Sequence, residues 1–241
     1  VTIQAQYAVV KIGITNVRGF CCIADNMQKA REFLSDDFDP AIDDTGKKKV
    51  LFILMKNVIN EKLQDMATTS FKDLAKKKNY NRGLASGKPE GSKTVRHTKD
   101  GQSMSINSST SNIAGYYDRP NRQHKSSFAT NVACRKTAFT KNNIELWENA
   151  LPFIQKCSEM YERKGGHYYN EQKEEFDKIK KDMRIPNTVF TTVTVNYNWR
   201  TACHKDTGDY SKGLGNLAVT GRDFEGCYLG FPQFKICIKV E

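Results

Sequence analysis

Apolar side chains recur at helical spacing in two long stretches of the chain and alternate with polar ones in several others. Leu63, Met66, Phe71 and Leu74 share one side of a helix predicted over residues 61–78. Trp147, Ala150, Leu151, Ile154, Cys157 and Tyr161 form a longer stripe over residues 142–163. Pro152 is expected to kink that helix or split it, and Gly165 and Gly166 to end it. Residues 168–183 predict a second, highly charged helix that stops before Pro186. A shorter helix is expected over residues 26–34, ahead of an acidic loop, SDDFDPAIDD. Strand patterns fall at residues 7–15 and 17–24, broken near Asn16, and at residues 49–59 around the apolar run 50–55. Beyond Pro186 everything reads as strand and turn, at residues 188–203, 214–220, 227–231 and 234–240. The last of these alternates Phe234, Ile236, Ile238 and Val240 against Lys235, Cys237 and Lys239.

Residues 80–127 break the pattern. Gly, Ser, Asn and basic residues dominate, periodicity is weak, and a long irregular segment is expected there. Two islands stand out, NRGLASG from Asn81 and GYYDRP from Gly115. Lys76, Lys77, Lys78, Arg82, Arg119, Arg122, Arg135 and Lys136 concentrate positive charge around them, with Tyr80, Tyr116 and Tyr117 interleaved. That mixture suits phosphates and stacked bases; a solvated loop is the alternative.

The stretch VNYNWRTACHKDTGD, from Val195, raises a chemical question. Read as one strand, it puts Val195, Tyr197, Trp199, Thr201 and Cys203 on one face and Asn196, Asn198, Arg200, Ala202, His204 and Asp206 on the other. A solvated edge seldom collects an imidazole and a carboxylate two residues apart. His204 and Asp206 at a strand exit can occupy neighbouring positions around one metal ion.

Composition narrows the partner. The 241 residues carry 38 Lys+Arg against 27 Asp+Glu, a net charge of +11, so polyanions are attracted and nucleic acid is the commonest of these. Seven scattered Cys without a CxxC pair argue against a structural zinc site and for reduced, mostly buried thiols in an intracellular protein. No apolar run is long enough to span a bilayer, so no membrane partner is expected. Ser or Cys nucleophile elbows and phosphate-cradling loops are missing too.

The stretch from Val195 and EGCYLGFPQFKICIKVE at the end of the chain resemble the TET/JBP group of iron(II)- and 2-oxoglutarate-dependent dioxygenases, including its viral or phage-like members. NRGLASG and GYYDRP look like upstream segments of its JBP-like members. The resemblance covers residues 80–241 and has no counterpart for residues 1–75. It implies a double-stranded β-helix (jelly-roll) core with supporting helices over residues 80–241; with the α/β pattern of residues 1–79 read as an N-terminal annex, the fold expected is α+β. It implies His204 and Asp206 as iron ligands and 2-oxoglutarate as cosubstrate. Arg200 is then a candidate for the cosubstrate or a phosphate, Asn198 for the cosubstrate or a base, and Asp209, five past His204, for the target base. Arg82 and Arg119 are candidates for the nucleic acid. The implied reaction hydroxylates the 5-methyl group of thymine or 5-methylcytosine, in DNA rather than RNA, and the base must leave its stack to be reached.

The family pattern also needs a distal His and then an Arg. After Asp206 this sequence has no His, and its one Arg is Arg222. The expectation is therefore that the native chain continues past Glu241 with strands that bring both, partly because the strand over residues 234–240 would otherwise expose an edge. Two rivals accompany this reading: an oxygenase of the same fold acting on protein, and a non-catalytic basic nucleic-acid-binding or virion-type structural protein. The location expected is the host cell's nucleus or cytoplasm, or a virion.

Overall fold

Residues 22–24, 52–79, 82, 95–97, 103–105, 109–119, 133–201, 209–210, 212–225, 227–231 and 236–240 are described by the computed structural model. In chain order the elements begin with β1 (Cys22–Ala24), α1 (Glu61–Lys76), β2 (Val95–His97) and β3 (Ser103–Ser105). They continue with β4 (Ser111–Arg119), β5 (Ala133–Lys136), α2 (Ala138–Asn142), α3 (Ile144–Gly165) and α4 (His167–Phe176). A 3-10 turn (Lys181–Met183), β6 (Thr192–Asn196), β7 (Tyr228–Phe231) and β8 (Ile236–Lys239) complete them. The fold is mixed helix and sheet. The patterns at residues 7–15 and 26–34, the acidic loop, NRGLASG apart from Arg82, and the His204/Asp206 pair lie outside the described residues.

α1 forms where its apolar stripe predicts. The Asn60 side chain accepts from Leu63 N at 2.9 Å, Glu61 and Lys76 complement the helix dipole at either end, and Ala67, Ser70, Phe71, Leu74 and Ala75 are buried. These residues share one core with Trp147, Phe153, Ile154 and Tyr161 of α3 and with Val193 and Val195 of β6. α1 precedes residue 80, yet it is built into the same core as the elements after it.

α3 runs unbroken through Pro152, so the expected split does not occur. The hydrogen bond that Pro152 removes belongs to the carbonyl of Glu148, an exposed residue. The break falls earlier, at Asn143, whose φ of −130° and ψ of 63° separate α2 from α3. Gly166, at φ 55°, turns the chain into α4. α4 is shorter than its pattern, ending at Phe176 rather than near Met183. Arg184 is the reason: Nε donates to the Ile179 carbonyl at 2.7 Å and Nη2 to the Asp177 carbonyl at 2.6 Å, and the guanidinium lies over the Phe176 ring. It takes up carbonyls that a continuing helix would bond internally.

The largest correction concerns GYYDRP. Its first five residues lie in β4, the middle strand of a sheet ordered β5-β4-β6 and antiparallel throughout. β6 pairs with residues 111–115 and β5 with residues 116–119, so the strand changes partners just after Gly115. There Gly115 N donates to Thr140 Oγ1 at 2.7 Å and Tyr116 N to the Thr191 carbonyl at 2.8 Å. Gly115 has φ +88°, and a Cβ on it would sit 2.6 Å from the Thr191 oxygen. Gly115→Ala is expected to cost about 1–3 kcal/mol, visible as a melting temperature lowered by several degrees. Melting at the wild-type temperature would show that the exchange of partners tolerates a side chain.

Three further expectations change. Residues 52–59 form no strand; Asn57, at φ 54°, interrupts the extended run. Residues 214–220 form none either. The strand expected over residues 188–203 shrinks to β6, and Asn198, at φ 42°, ends the simple alternation of faces. β8 does form, and it lies between β1, parallel, and β7, antiparallel. The expectation of an open edge along this strand is thereby overturned. β2 and β3 form a separate antiparallel pair.

Cys157, buried in α3, is a free thiol. Burial pushes the Cys157 thiol up to about 12, which leaves it an unreactive thiol at neutral pH. No helix among the described residues is long and apolar enough to cross a membrane.

Candidate functional site

β6 carries the chain toward the His204/Asp206 stretch, and its two faces differ. Val193 and Val195 turn into the helix-lined core, where the facing residue Asn112 donates to the carbonyls of Leu74 and Lys77 at the end of α1. Thr194 and Asn196 occupy the other face and are also buried. Asn196 stands opposite Ser111 of β4, and Asn196 Oδ1 and Ser111 Oγ are buried without a hydrogen-bond partner. Unpaired polar atoms are costly in a dry interior. That face is thus suited to a polar group.

Beyond β6, Asn198 and Arg200 are exposed rather than turned inward. The Lys76 ammonium lies 5.3 Å from the centroid of the Tyr197 ring, a cation–π contact that brings the end of α1 beside this segment. Lys77 and Lys78 follow, both exposed. The sequence offered no signal for this junction, because its parts lie far apart in the chain. Arg222 is exposed and reaches Glu61 at 3.3 Å and Asp65 at 3.0 Å on α1. It is engaged at the surface.

Asp209 lines a cleft of about 590 Å³, bounded by α4, by residues 189–192 and by Tyr210 and Leu214. Phe176 and Phe190 supply apolar wall, Thr191 and Thr192 hydroxyls, and Glu175 a second carboxylate, paired to Lys178 at 2.5 Å. A concave surface with two carboxylates repels phosphate and accepts N–H donors. Arg82 is half-buried, and Arg119 lies in β4 opposite Ala133. Arg82 is not among the described residues that line this cleft. Among the described residues no group of three or more His, Cys, Asp and Glu could hold a metal ion. The His204/Asp206 pair is outside that set.

Residues 112–241 match the family described as the oxygenase domain of the 2OGFeDO superfamily, Tet_JBP, and the chain belongs to this family. The superfamily consists of iron(II)- and 2-oxoglutarate-dependent dioxygenases. Thymine dioxygenase JBP1-A of Trypanosoma cruzi is 37% identical over 132 residues, which is 54% of this chain and 15% of that protein. Bifunctional helicase and thymine dioxygenase JBP2 of the same organism is 30% identical over 220 residues, 87% of this chain and 18% of that protein. JBP2 of Leishmania tarentolae is 36% identical over 126 residues, 51% of this chain and 10% of that protein. The chain thus spans under a fifth of the length of these relatives. At 87% coverage the first JBP2 similarity extends into the segment before Tyr80, for which the sequence alone showed no counterpart. No solved structure matches the chain.

The residues fit the superfamily's cofactors in kind. His204 and Asp206 offer an imidazole and a carboxylate, the donor types iron(II) takes beside open positions. The buried polar face of β6 and β4, with its two unpaired atoms, suits a polar cosubstrate.

Proposed function

We propose that this chain contributes the oxygenase domain of an iron(II)- and 2-oxoglutarate-dependent dioxygenase that hydroxylates the 5-methyl group of thymine, or of 5-methylcytosine, in DNA. The observation that carries it is the family match over residues 112–241, which takes in His204, Asp206 and the Asp209 cleft. The relatives named thymine dioxygenases support thymine as the first base to test. The mostly antiparallel strands are consistent with a double-stranded β-helix core, which belongs to the same proposal.

His204 and Asp206 would hold the iron. When bound, iron and 2-oxoglutarate supply the oxidation, in which dioxygen gives one oxygen to succinate and one to the methyl group, with loss of carbon dioxide. The chain's own residues do the rest. Asp209 accepts an N–H of the base, and Phe176 and Phe190 give the cleft apolar wall that excludes water. The acidic cleft repels phosphate, while the lysines at the end of α1 attract it. The backbone and the flipped base are thereby steered to different surfaces.

Succinate release by the full-length protein is the test. Thymine-containing DNA is expected to stimulate it and a peptide is not. Stimulation by peptide alone would favour the protein-directed oxygenase. A protein that binds DNA without binding iron would favour the structural reading.

A further inference from the structure

Tyr161 of α3 is almost wholly buried, and its hydroxyl is used twice. It accepts from the Leu214 amide at 2.9 Å and donates to Gln172 Oε1 at 3.2 Å. Gln172 Nε2 in turn donates to the Val189 carbonyl at 3.1 Å. The series runs from the segment that follows Asp209, through α3 and α4, to the strand-side wall of the cleft. Each donor has one acceptor, so the direction of every bond is set, and both ends of the Gln172 amide are occupied. Gln172 also lines the cleft, where these two bonds fix its side chain as part of the wall.

The ring is held as firmly as the hydroxyl. Tyr169 meets it edge-on at 5.4 Å and Phe190 lies parallel at 6.4 Å. Burial raises the phenol's pKa above the usual tyrosine value, so it stays protonated at neutral pH and keeps its donor. From the other side, Gly213 comes so close that a Cβ there would stand 2.2 Å from Gln172 Oε1. Residues 212–225 hold neither helix nor strand, and the other tie to α4, Lys212 to Glu171 at 3.9 Å, is exposed. An exposed ion pair fixes little.

We propose that Tyr161 is a positioning residue whose hydroxyl, with Gln172 and the close approach of Gly213, clamps the segment bearing Asp209 and Tyr210 and so sets how Asp209 meets the base. This rests on the function proposed above. Asp209 lies in no helix or strand and only at an isolated bridge, so the hold on the residues after it helps to place it.

The test uses the full-length protein and two variants. Tyr161→Phe keeps the ring packing and removes only the hydroxyl; Gly213→Ala presses on the same contact from outside. Without DNA, Tyr161→Phe is expected to speed amide exchange around Leu214 by about fivefold, the worth of one modest hydrogen bond, with α3 unchanged. With thymine-containing DNA, both variants are expected to raise KM by about fivefold and leave kcat within about twofold, because binding rather than chemistry is disturbed. Unchanged exchange overturns the clamp whatever the substrate. Faster exchange with an unchanged KM overturns the positioning role. If the wild-type protein does not turn over thymine in DNA, the parent reading fails, and the exchange result alone upholds or overturns the clamp.

Discussion

His204→Ala in the full-length protein is expected to abolish iron(II) binding while leaving the fold near intact. Iron(II) in this family is held by few protein groups, since open positions serve cosubstrate and oxygen. Losing an outer-shell partner already costs roughly 10–100-fold in metal affinity, so losing a direct ligand costs more. The core is built elsewhere, from Phe71, Trp147, Phe153, Ile154, Phe190, Val193 and Val195, so thermal stability of the metal-free protein should change little. Iron content per chain, measured beside a melting curve, separates the two effects. Unchanged iron stoichiometry in the variant would remove His204 from the site.

Replacing Lys76, Lys77 and Lys78 together by Ala is expected to weaken DNA binding by about 10²–10³-fold near 0.1 M salt. Each phosphate neutralised releases about 0.9 of a counterion, so three contacts should flatten the log–log salt dependence by about 2–3 units. The structure gives this run a place. Lys76 rests against Tyr197, just after β6, and Lys77 and Lys78 follow it, both exposed. Among the described residues none of the three is ion-paired, whereas Lys156 is bonded to Glu159 at 2.8 Å. Lys156→Ala is therefore the control, and it should leave the slope as it was. An equal slope in the triple variant would move the DNA surface away from α1.

Much of the helical framework was legible because its signals are local. Leu63, Phe71 and Leu74 recur with the helix period, Asn60 is a good cap, and Gly166 stops α3 by its own backbone freedom. β8 was legible for the same reason, its alternation being a property of adjacent residues. β4 was not. Its buried positions are Ser111, Ala114 and Gly115, small residues that read as loop, and it is a strand because β5 and β6 bond to it on either side. The end of α4 was hidden because Arg184, outside the helix, takes the carbonyls of Asp177 and Ile179, just past it.

The site divides in the same way. Sequence alone determined the chemistry on offer: an imidazole and a carboxylate at His204 and Asp206, a basic chain, and a resemblance that the family match bears out. Only the tertiary structure decided what stands beside what. It put Asp209 against α4 in an acidic cleft, turned Asn198 and Arg200 outward, occupied Arg222 with Glu61 and Asp65, and brought Lys76 to Tyr197. Residue type sets what a group can donate, accept or ligate. Its neighbours are set by packing between segments far apart in the chain, which no local pattern records.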